Sequence, residues 1–327
     1  MSTNDTNFLK NETLCISLVV PVYCEEDVLP EFYARTFRVL TALSPSYDYE
    51  LVFINDGSTD HSAEILSSLA QKNDRVKVIH LSRNFGHKKA ITAGLDHASG
   101  EIAVIMDADL QDPPEVIPEM LKKWTEGFKV VYGVRRQRRG ESLFKRLTAT
   151  AFYRFLNSVS ELKFANDSGD FRLLDRAVID SFKQIREDNR YIRGLISWIG
   201  FSQCPITYDR DPRYAGKTKF NLRKMLRFAL DGVTSFSERP LELSSRMGFL
   251  VTFISFLSAC KLIYAKLFLP SYLVQGWTSV MVAVLFLGGI QLIAIGVLGE
   301  YLGRIYRETK QRPLYIVQAK LGFKIHR

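Results

Sequence analysis

Two aspartates carry the clearest chemistry in the chain. Asp107 and Asp109 stand two apart, directly after the apolar run 102–106, with Gln111 and Asp112 just beyond. Where a strand gives way to a loop, carboxylates at that spacing can converge on one hard divalent cation, and Gln111 offers a further oxygen. Mg2+ or Mn2+ held in this way commonly bridges one or two carboxylates to substrate phosphates. A solvated acidic loop has the same appearance, so the placement of the pair matters. Asp56 closes another apolar run in Asn-Asp-Gly-Ser-Thr-Asp. Its carboxylate suits a nucleobase N–H, and the same segment also reads as a turn at Asp56-Gly57 with Asp60 capping the next helix. Pro21, Tyr23 and Glu25, at the end of a first run, offer a stacking ring and a second acceptor.

The patterning around these residues predicts the elements that position them. Residues 16–22, ISLVVPV, form a continuous apolar run, as in a strand buried on both faces. Further strands are predicted over 50–56, 76–81, 101–107 and 129–134, and helices over 25–43, 62–72, 88–97 and 114–126. Such alternation implies an α/β domain with a mainly parallel sheet covered by helices on both faces. Ligands bind beyond the carboxyl ends of strands in such sheets. The polar clusters 23–26, 55–60 and 107–112 all fall there. Residues 135–245 are less regular: a basic loop over 135–140, an amphipathic helix over 142–159, a helix over 175–187 and a strand over 204–208. The segment 217–236 combines a basic face with Phe220, Leu222, Met225, Leu226, Ala229 and Leu230. It reads as a helix lying in a lipid headgroup layer, with an ordinary amphipathic surface helix as the alternative.

Residues 276–299 contain no charged side chain. As a helix they would extend about 36 Å, enough for a bilayer core of about 30 Å. Residues 247–269 are similar, with Lys261 and Lys266 towards the end, and the connector 270–275 leaves room only for a tight turn. The expectation is a hairpin of two membrane-spanning helices; two buried core helices are the alternative, but nothing else in the chain is long enough to wrap them. Arg227, Arg239 and Arg246 before the hairpin, and Arg304, Arg307, Lys310 and Arg312 after it, place both termini and the soluble part on the cytoplasmic side of the plasma or inner membrane. The first 15 residues are polar and lack the apolar stretch of a secretory signal.

Composition narrows the function classes. In 327 residues, 46% apolar and 24% charged side chains exclude global disorder. The four cysteines are scattered without a C-x-x-C pair, and the five histidines lack zinc-site spacing. The net charge of +9 suggests an anionic partner: a nucleotide, a nucleic acid or an anionic membrane surface. The basic residues cluster at the membrane approach, which argues against nucleic acid. Neither G-x-G-x-x-G after a strand nor G-x-x-x-x-G-K-[ST] is present, which disfavours dinucleotide dehydrogenases and P-loop NTPases.

The segments VVPVYCEE, FINDGSTD, GHKKAITAGLDHASGEIAVIMDADLQDPPE and GDFRLLDR together resemble the family 2 glycosyltransferases of GT-A fold. Within them the chain is similar to the polyprenyl-phosphate branch, the bactoprenol glucosyltransferases and dolichol-phosphate mannose synthases. DADLQDPPE and the two-helix hairpin make that resemblance specific, and it covers nearly the whole chain. The Q-x-x-R-W motif of processive synthases is absent, so transfer of a single hexose is implied. The resemblance implies a cytoplasmic GT-A catalytic domain over 1–216, an interfacial region over 217–245, two spans over 246–300 and a basic tail over 301–327. It assigns Asp107, Asp109 and Gln111 to Mg2+ or Mn2+ on the nucleotide diphosphate, and Pro21, Tyr23, Glu25 and Asp56, with Asp107, to the nucleotide pocket. It makes Asp109, Arg135 and Arg172 catalytic residues. Arg135 contacts phosphate, and Arg172 with Arg213, Lys217 and Lys219 lines the acceptor-phosphate side; Lys145 and Arg146 match that side less closely. The branch often reads Ser-Gly-Phe where this chain has Ser168-Gly169-Asp170-Phe171, so the role of Asp170 stays open.

The implied reaction is inverting transfer of a hexose, with UDP-glucose the first choice of nucleotide sugar, to polyprenyl (undecaprenyl) phosphate. GDP-mannose or an aminosugar donor is the alternative within the same chemistry. A non-catalytic, membrane-anchored nucleotide-binding scaffold is the alternative of another class. A phosphate monoester is mostly a dianion at pH 7, so the acceptor needs cationic positioning rather than a strong base, and Asp170 is expected not to be an essential proton acceptor. Gly288-Gly289 permits the close helix contact of a homo-oligomer.

Overall fold

The computed structural model describes residues 13–44, 46–136, 168–188, 190–209, 239–268 and 276–323. The predicted helices over 142–159 and 217–236, together with Lys145, Arg146, Arg213, Lys217 and Lys219, lie outside the described residues. The chain divides into two compact units, and residues from Pro313 onward belong to the first.

In the first unit, β1 (Cys15–Val22), β2 (Asp48–Asn55), β3 (Val76–Leu81) and β4 (Ile102–Ile105) alternate with α1 (Leu29–Leu43), α2 (Ser62–Lys72) and α3 (His87–His97). A 3-10 turn (Pro114–Val116) leads into α4 (Ile117–Thr125) and β5 (Val130–Arg135). Then come β6 (Ser168–Asp175), α5 (Arg176–Gln184), α6 (Ile192–Ile199) and β7 (Gln203–Tyr208). The strands form one eight-stranded sheet in the order β7-β5-β6-β4-β1-β2-β3-β8, where β8 is Val317–Leu321. β1 pairs in parallel with both β2 and β4, and β2 with β3; β6 and β8 run antiparallel to their neighbours. This is the mainly parallel α/β sheet that the alternation predicts.

Strand alternation divides the core between the two faces. Ile16, Leu18, Val20 and Val22 pack in one cluster with Leu29 and Phe32 of α1, Leu66 of α2 and Met120 of α4. Val19 faces the other way, onto α3. A Cβ on Gly94 would stand 2.3 Å from Val19 Cγ1 and 2.6 Å from Ile54 Cδ1, so only glycine lets α3 lie this close to the sheet.

Several boundaries differ from the pattern. The first helix starts at Leu29 rather than at residue 25, with Pro30 in its first turn, because the preceding loop is tied to the segment after β2. The helix expected from residue 175 starts at Arg176: Asp175 is its N-cap and accepts from Ala177 N at 3.0 Å. Strands β6 and β8 and helix α6 have no counterpart in the periodicity.

The second unit contains α7 (Arg239–Phe268) and α8 (Trp277–Thr309), which touch one another. Among the described residues one stretch, Val280–Thr309, is long and apolar enough to cross a membrane. Phe249, Phe253 and Phe256 of α7, and Phe286, Leu292 and Ile293 of α8, are exposed. α8 continues ten residues past the uncharged stretch, and its last turns carry the Arg304–Glu300 pair at 3.2 Å.

Candidate active site

The sheet reverses its winding between β1 and β4, since β2 follows on one side of β1 and β4 lies on the other. The carboxyl ends of β1, β2 and β4 therefore open onto one crevice. The loop after β1 carries Tyr23, 40% exposed, and turns through Cys24 at φ 55°. It is sewn to the loop after β2: Cys24 N donates to Ser58 Oγ at 3.0 Å, Glu25 N to Ser62 Oγ at 3.0 Å and Glu26 N to Asp60 Oδ2 at 3.2 Å. Asp60 also accepts from Ser62 N at 3.1 Å, so it braces both loops from a position just ahead of α2. Pro21 is buried within β1, opposite Ile54, and the ring presented at the crevice is that of Tyr23.

Asp56 is buried at the end of β2. Its Oδ1 accepts from Phe85 N at 2.7 Å and its Oδ2 from Gly86 N at 2.9 Å, which clamps the loop leading into α3. Burial raises its pKa against those two bonds. Gly57 makes the turn at φ 67°, and a Cβ there would stand 2.5 Å from the Arg83 carbonyl carbon.

Asp107 follows β4, and Leu110, at φ 56°, bends the Asp107–Asp112 loop back on itself. Asp109 and Asp112 are buried, and Asp109 Oδ1 accepts from Gln111 N at 3.2 Å. β6 pairs antiparallel with β4, Ile105 opposite Arg172. Two residues further in that register, Asp170 comes level with Asp107. His87 lies at both: its Nε2 is 3.4 Å from Asp107 Oδ1 and 3.5 Å from Asp170 Oδ2. Arg193 Nε donates to the other Asp170 oxygen at 2.8 Å. Burial opposes the charge on Asp170, but Arg193 and His87 outweigh it and hold the carboxyl well below the usual range. Desolvation of the partly covered ring opposes a charged His87, yet Asp107 and Asp170 bring its pKa to about 9. Asp107 itself is pushed up to about 6, by burial first, with the charges of Asp170, Asp112 and Asp109 adding to it and His87 opposing.

Arg135, at the end of β5, lies 3.8 Å from Asp112 Oδ1 and donates to the Tyr208 hydroxyl at 3.5 Å; Tyr208 in turn donates to Asp112. Its guanidinium crosses Gly169, where a Cβ would stand 2.9 Å from Nη2. Arg172 is 3% exposed; its Nη2 donates to Gly169 O at 3.0 Å, and burial lowers its pKa to about 10. Arg172 thus braces the β6 backbone from within. Sequence reading passed over His87, Tyr208 and Arg193. His87 had a signal, because it follows the third strand at the same sheet edge as the other clusters; Arg193 had none.

The profile of glycosyl transferase family 2 matches residues 17–182, which takes in every element from β1 through α4, β5 and β6. The chain belongs to this family. It is a glycosyltransferase, 50% identical over 308 residues to the uncharacterized glycosyltransferase YkcC of Bacillus subtilis, covering 94% of each chain. It is 45% identical to the bactoprenol glucosyl transferase of Shigella phage SfV, over 93% of this chain and 98% of that one. Among solved structures, mannosyl-3-phosphoglycerate synthase from Rubrobacter xylanophilus aligns with a TM-score of 0.49 at 19% identity, over 71% of this chain and 75% of that one.

The donor set of this glycosyltransferase fits a divalent cation. Asp107 Oδ1 is buried without a hydrogen-bond partner among the described residues. Its carboxyl also sits among three others that raise its pKa, a deficit of positive charge that a hard cation relieves. No three His, Cys, Asp or Glu side chains converge as a complete metal cage among the described residues. Two carboxylates supplemented by water and substrate phosphate are the arrangement typical of Mg2+ and Mn2+.

Proposed function

We infer that this glycosyltransferase moves one hexose from a nucleotide sugar, UDP-glucose being the preferred donor, to a polyprenyl phosphate such as undecaprenyl phosphate. The observation that carries this reading is the 45% identity to a bactoprenol glucosyl transferase over 93% of the chain, far beyond the family domain and into the apolar C-terminal helices. GDP-mannose and aminosugar donors are tested alongside, because the crevice residues do not distinguish the sugar. Asp107 and Asp109, with Gln111, would hold the Mg2+ or Mn2+ ion, which when bound neutralises charge on the donor diphosphate. Tyr23, Glu25 and Asp56, with the β1 backbone at Pro21, form the nucleoside side of the crevice.

In the transfer the bond from sugar C1 to the diphosphate oxygen breaks while an acceptor phosphate oxygen bonds to C1 from the opposite face. The anomeric centre is inverted, and the electron pair leaves with the nucleoside diphosphate. Arg135 stabilises that leaving charge. Arg172 fixes Gly169, so the β6 backbone keeps its place beside the reacting atoms. Arg213, Lys217 and Lys219 bring the acceptor phosphate. No side chain needs to take a proton, because the acceptor is already a dianion near pH 7. Asp170 fits this account, since Arg193 and His87 contact its two oxygens.

The two apolar helices anchor the catalytic domain (1–216) at the cytoplasmic face of the plasma membrane, where a water-soluble donor and a lipid-borne phosphate meet. Both helices span, with the basic segments 217–245 and 301–327 on the cytoplasmic side. Gly288-Gly289 provides a contact for self-association. The experiment is sugar transfer in detergent with Mg2+ or Mn2+, radiolabelled UDP-glucose and undecaprenyl phosphate, wild type beside Asp109→Ala. Labelled lipid made only by wild type is expected. Product from both proteins would show that the metal site lies elsewhere. Product with GDP-mannose alone would correct the donor.

A further inference from the structure

His87 lies in the segment GHKKAITAG that carries part of the family resemblance but has no role assigned by it, yet it stands at the centre of the carboxylate cluster. It opens α3 directly after Gly86, which takes φ 97°. The two residues before it, Phe85 and Gly86, have their N–H groups fixed on the buried Asp56 carboxylate. The root of the His87 side chain is therefore clamped by the end of β2. From there a single ring nitrogen, Nε2, reaches Asp107 Oδ1 on the loop after β4 and Asp170 Oδ2 on β6. The ring is 44% exposed, so core packing does not account for its place. Beyond the His87 contact at 3.4 Å, Asp107 Oδ1 has no hydrogen-bond partner among the described residues, while Asp170 keeps a firm bond to Arg193 through its other oxygen.

We propose that His87 is a positioning residue of the transfer site, whose ring spans Asp107 and Asp170 and so holds Asp107 where it would take the divalent cation of the donor diphosphate. The proposal rests on the transferase reading above. Two carboxylates facing one another repel. Asp170 is anchored, so without the ring between them Asp107 is the side chain that swings away, and the donor must then restore it. A ring N–H between the two oxygens prevents that. Glutamine carries N–H donors at the end of a side chain of similar reach, and alanine carries none.

The test uses the full-length protein in detergent. UDP binding with Mn2+ is measured by calorimetry for wild type, His87→Ala and His87→Gln, followed by donor KM, kcat and thermal melts. His87→Ala should weaken UDP binding and raise donor KM about tenfold, the scale of one charge-assisted hydrogen bond. kcat and the melting temperature should stay close to wild type, and His87→Gln should recover most of the loss. In an Asp170→Asn background the His87→Ala effect should shrink, because one of the two charges that the ring separates is gone. Wild-type UDP affinity and KM in His87→Ala would overturn the proposal, as would a glutamine variant no better than alanine or an alanine effect of equal size in both backgrounds. A parallel GDP series separates a wrong donor, which shifts wild type and variants together, from a failure of His87. Wild type that binds neither nucleotide overturns the transferase reading and this proposal with it.

Discussion

Glu50 allows a stability prediction to be worked from the structure. It lies on β2 opposite Ser17, towards the amino end of the sheet, and is 4% exposed. Its carboxylate accepts from Ser17 Oγ at 2.6 Å, Ser99 N at 2.7 Å and Ser99 Oγ at 2.8 Å, and it pairs with Lys77. Glu50→Gln keeps the volume but leaves Lys77 without its counter-ion and sets an amide N–H2 against hydroxyl donors. Removing one partner of a buried pair costs about 3–5 kcal/mol, and the retained amide oxygen puts this variant near the lower figure. A domain of this size loses about 2–4 °C per kcal/mol, so the melting temperature of the catalytic unit should fall by about 6–12 °C at pH 7. The active-site crevice is about 20 Å further along the strand, so donor KM measured well below the transition should not change.

The pH dependence has a definite sign. Burial opposes the charged form of Glu50, but its bonds to Lys77, Ser17 and Ser99 outweigh burial and hold its pKa below the ordinary value. The stabilisation is therefore complete above the unfolded pKa of about 4.3 and is lost as pH falls through the lower folded value. The gap in melting temperature between wild type and Glu50→Gln should be full at pH 7 and close progressively below about pH 4. Thermal melts of both proteins in detergent, followed by near-ultraviolet circular dichroism across that range, decide the matter. A gap under about 1 °C at pH 7 would mean the network contributes no net stability, and a gap that stays constant on acidification would mean the ionised carboxylate is not its source; either would refute the reasoning.

Three further predictions follow from other parts of the fold. Asp170→Asn should retain turnover within about tenfold, where loss of a true general base costs about 100-fold or more; steady-state transfer with normal UDP binding checks this. Gly57→Ala places a Cβ 2.5 Å from the Arg83 carbonyl carbon at φ 67°, so it should destabilise the catalytic unit by about 1–3 kcal/mol and weaken nucleotide binding, read by a melt and a UDP titration. Ending the chain at Arg312 removes β8, the burial of Leu314 and the Tyr315–Asp96 bond of 2.9 Å, and bares the edge of β3. That protein should melt lower and aggregate faster than wild type in size-exclusion chromatography.

Much of the fold was legible because it is written in short-range periodicity. The runs at 16–22 and 76–81 and the helix 62–72 coincide with β1, β3 and α2, give or take a residue. The carboxyl-end rule for such sheets then gathers Tyr23, Asp56 and Asp107 from the sequence alone. β6 was not legible as a strand. Its residues SGDFRLLD include a glycine and three charges, and they become a strand because β4 and β5 flank them. β8 is short and mostly exposed and, among the described residues, pairs only with β3, so its sequence bears no strand signature.

The sequence by itself determined the chemistry at hand: which strand ends carry carboxylates, that the chain holds long apolar helices, and which family the motifs resemble. Tertiary structure alone decided how that chemistry is arranged. Asp56 was an acceptor in search of a donor, and the fold uses both its oxygens to clamp the loop before α3. Asp170 was an unexplained departure from a motif, and antiparallel pairing set it beside Asp107 with Arg193 and His87 at its two oxygens. The physical reason is range. Periodicity reports each residue's neighbours within one element, whereas His87, Asp107, Asp170 and Arg193 come from four separate parts of the chain. Strand register sets Asp107 beside Asp170, the helices α3 and α6 bring in His87 and Arg193, and backbone hydrogen bonds between distant segments fix that register without leaving a local mark in the sequence.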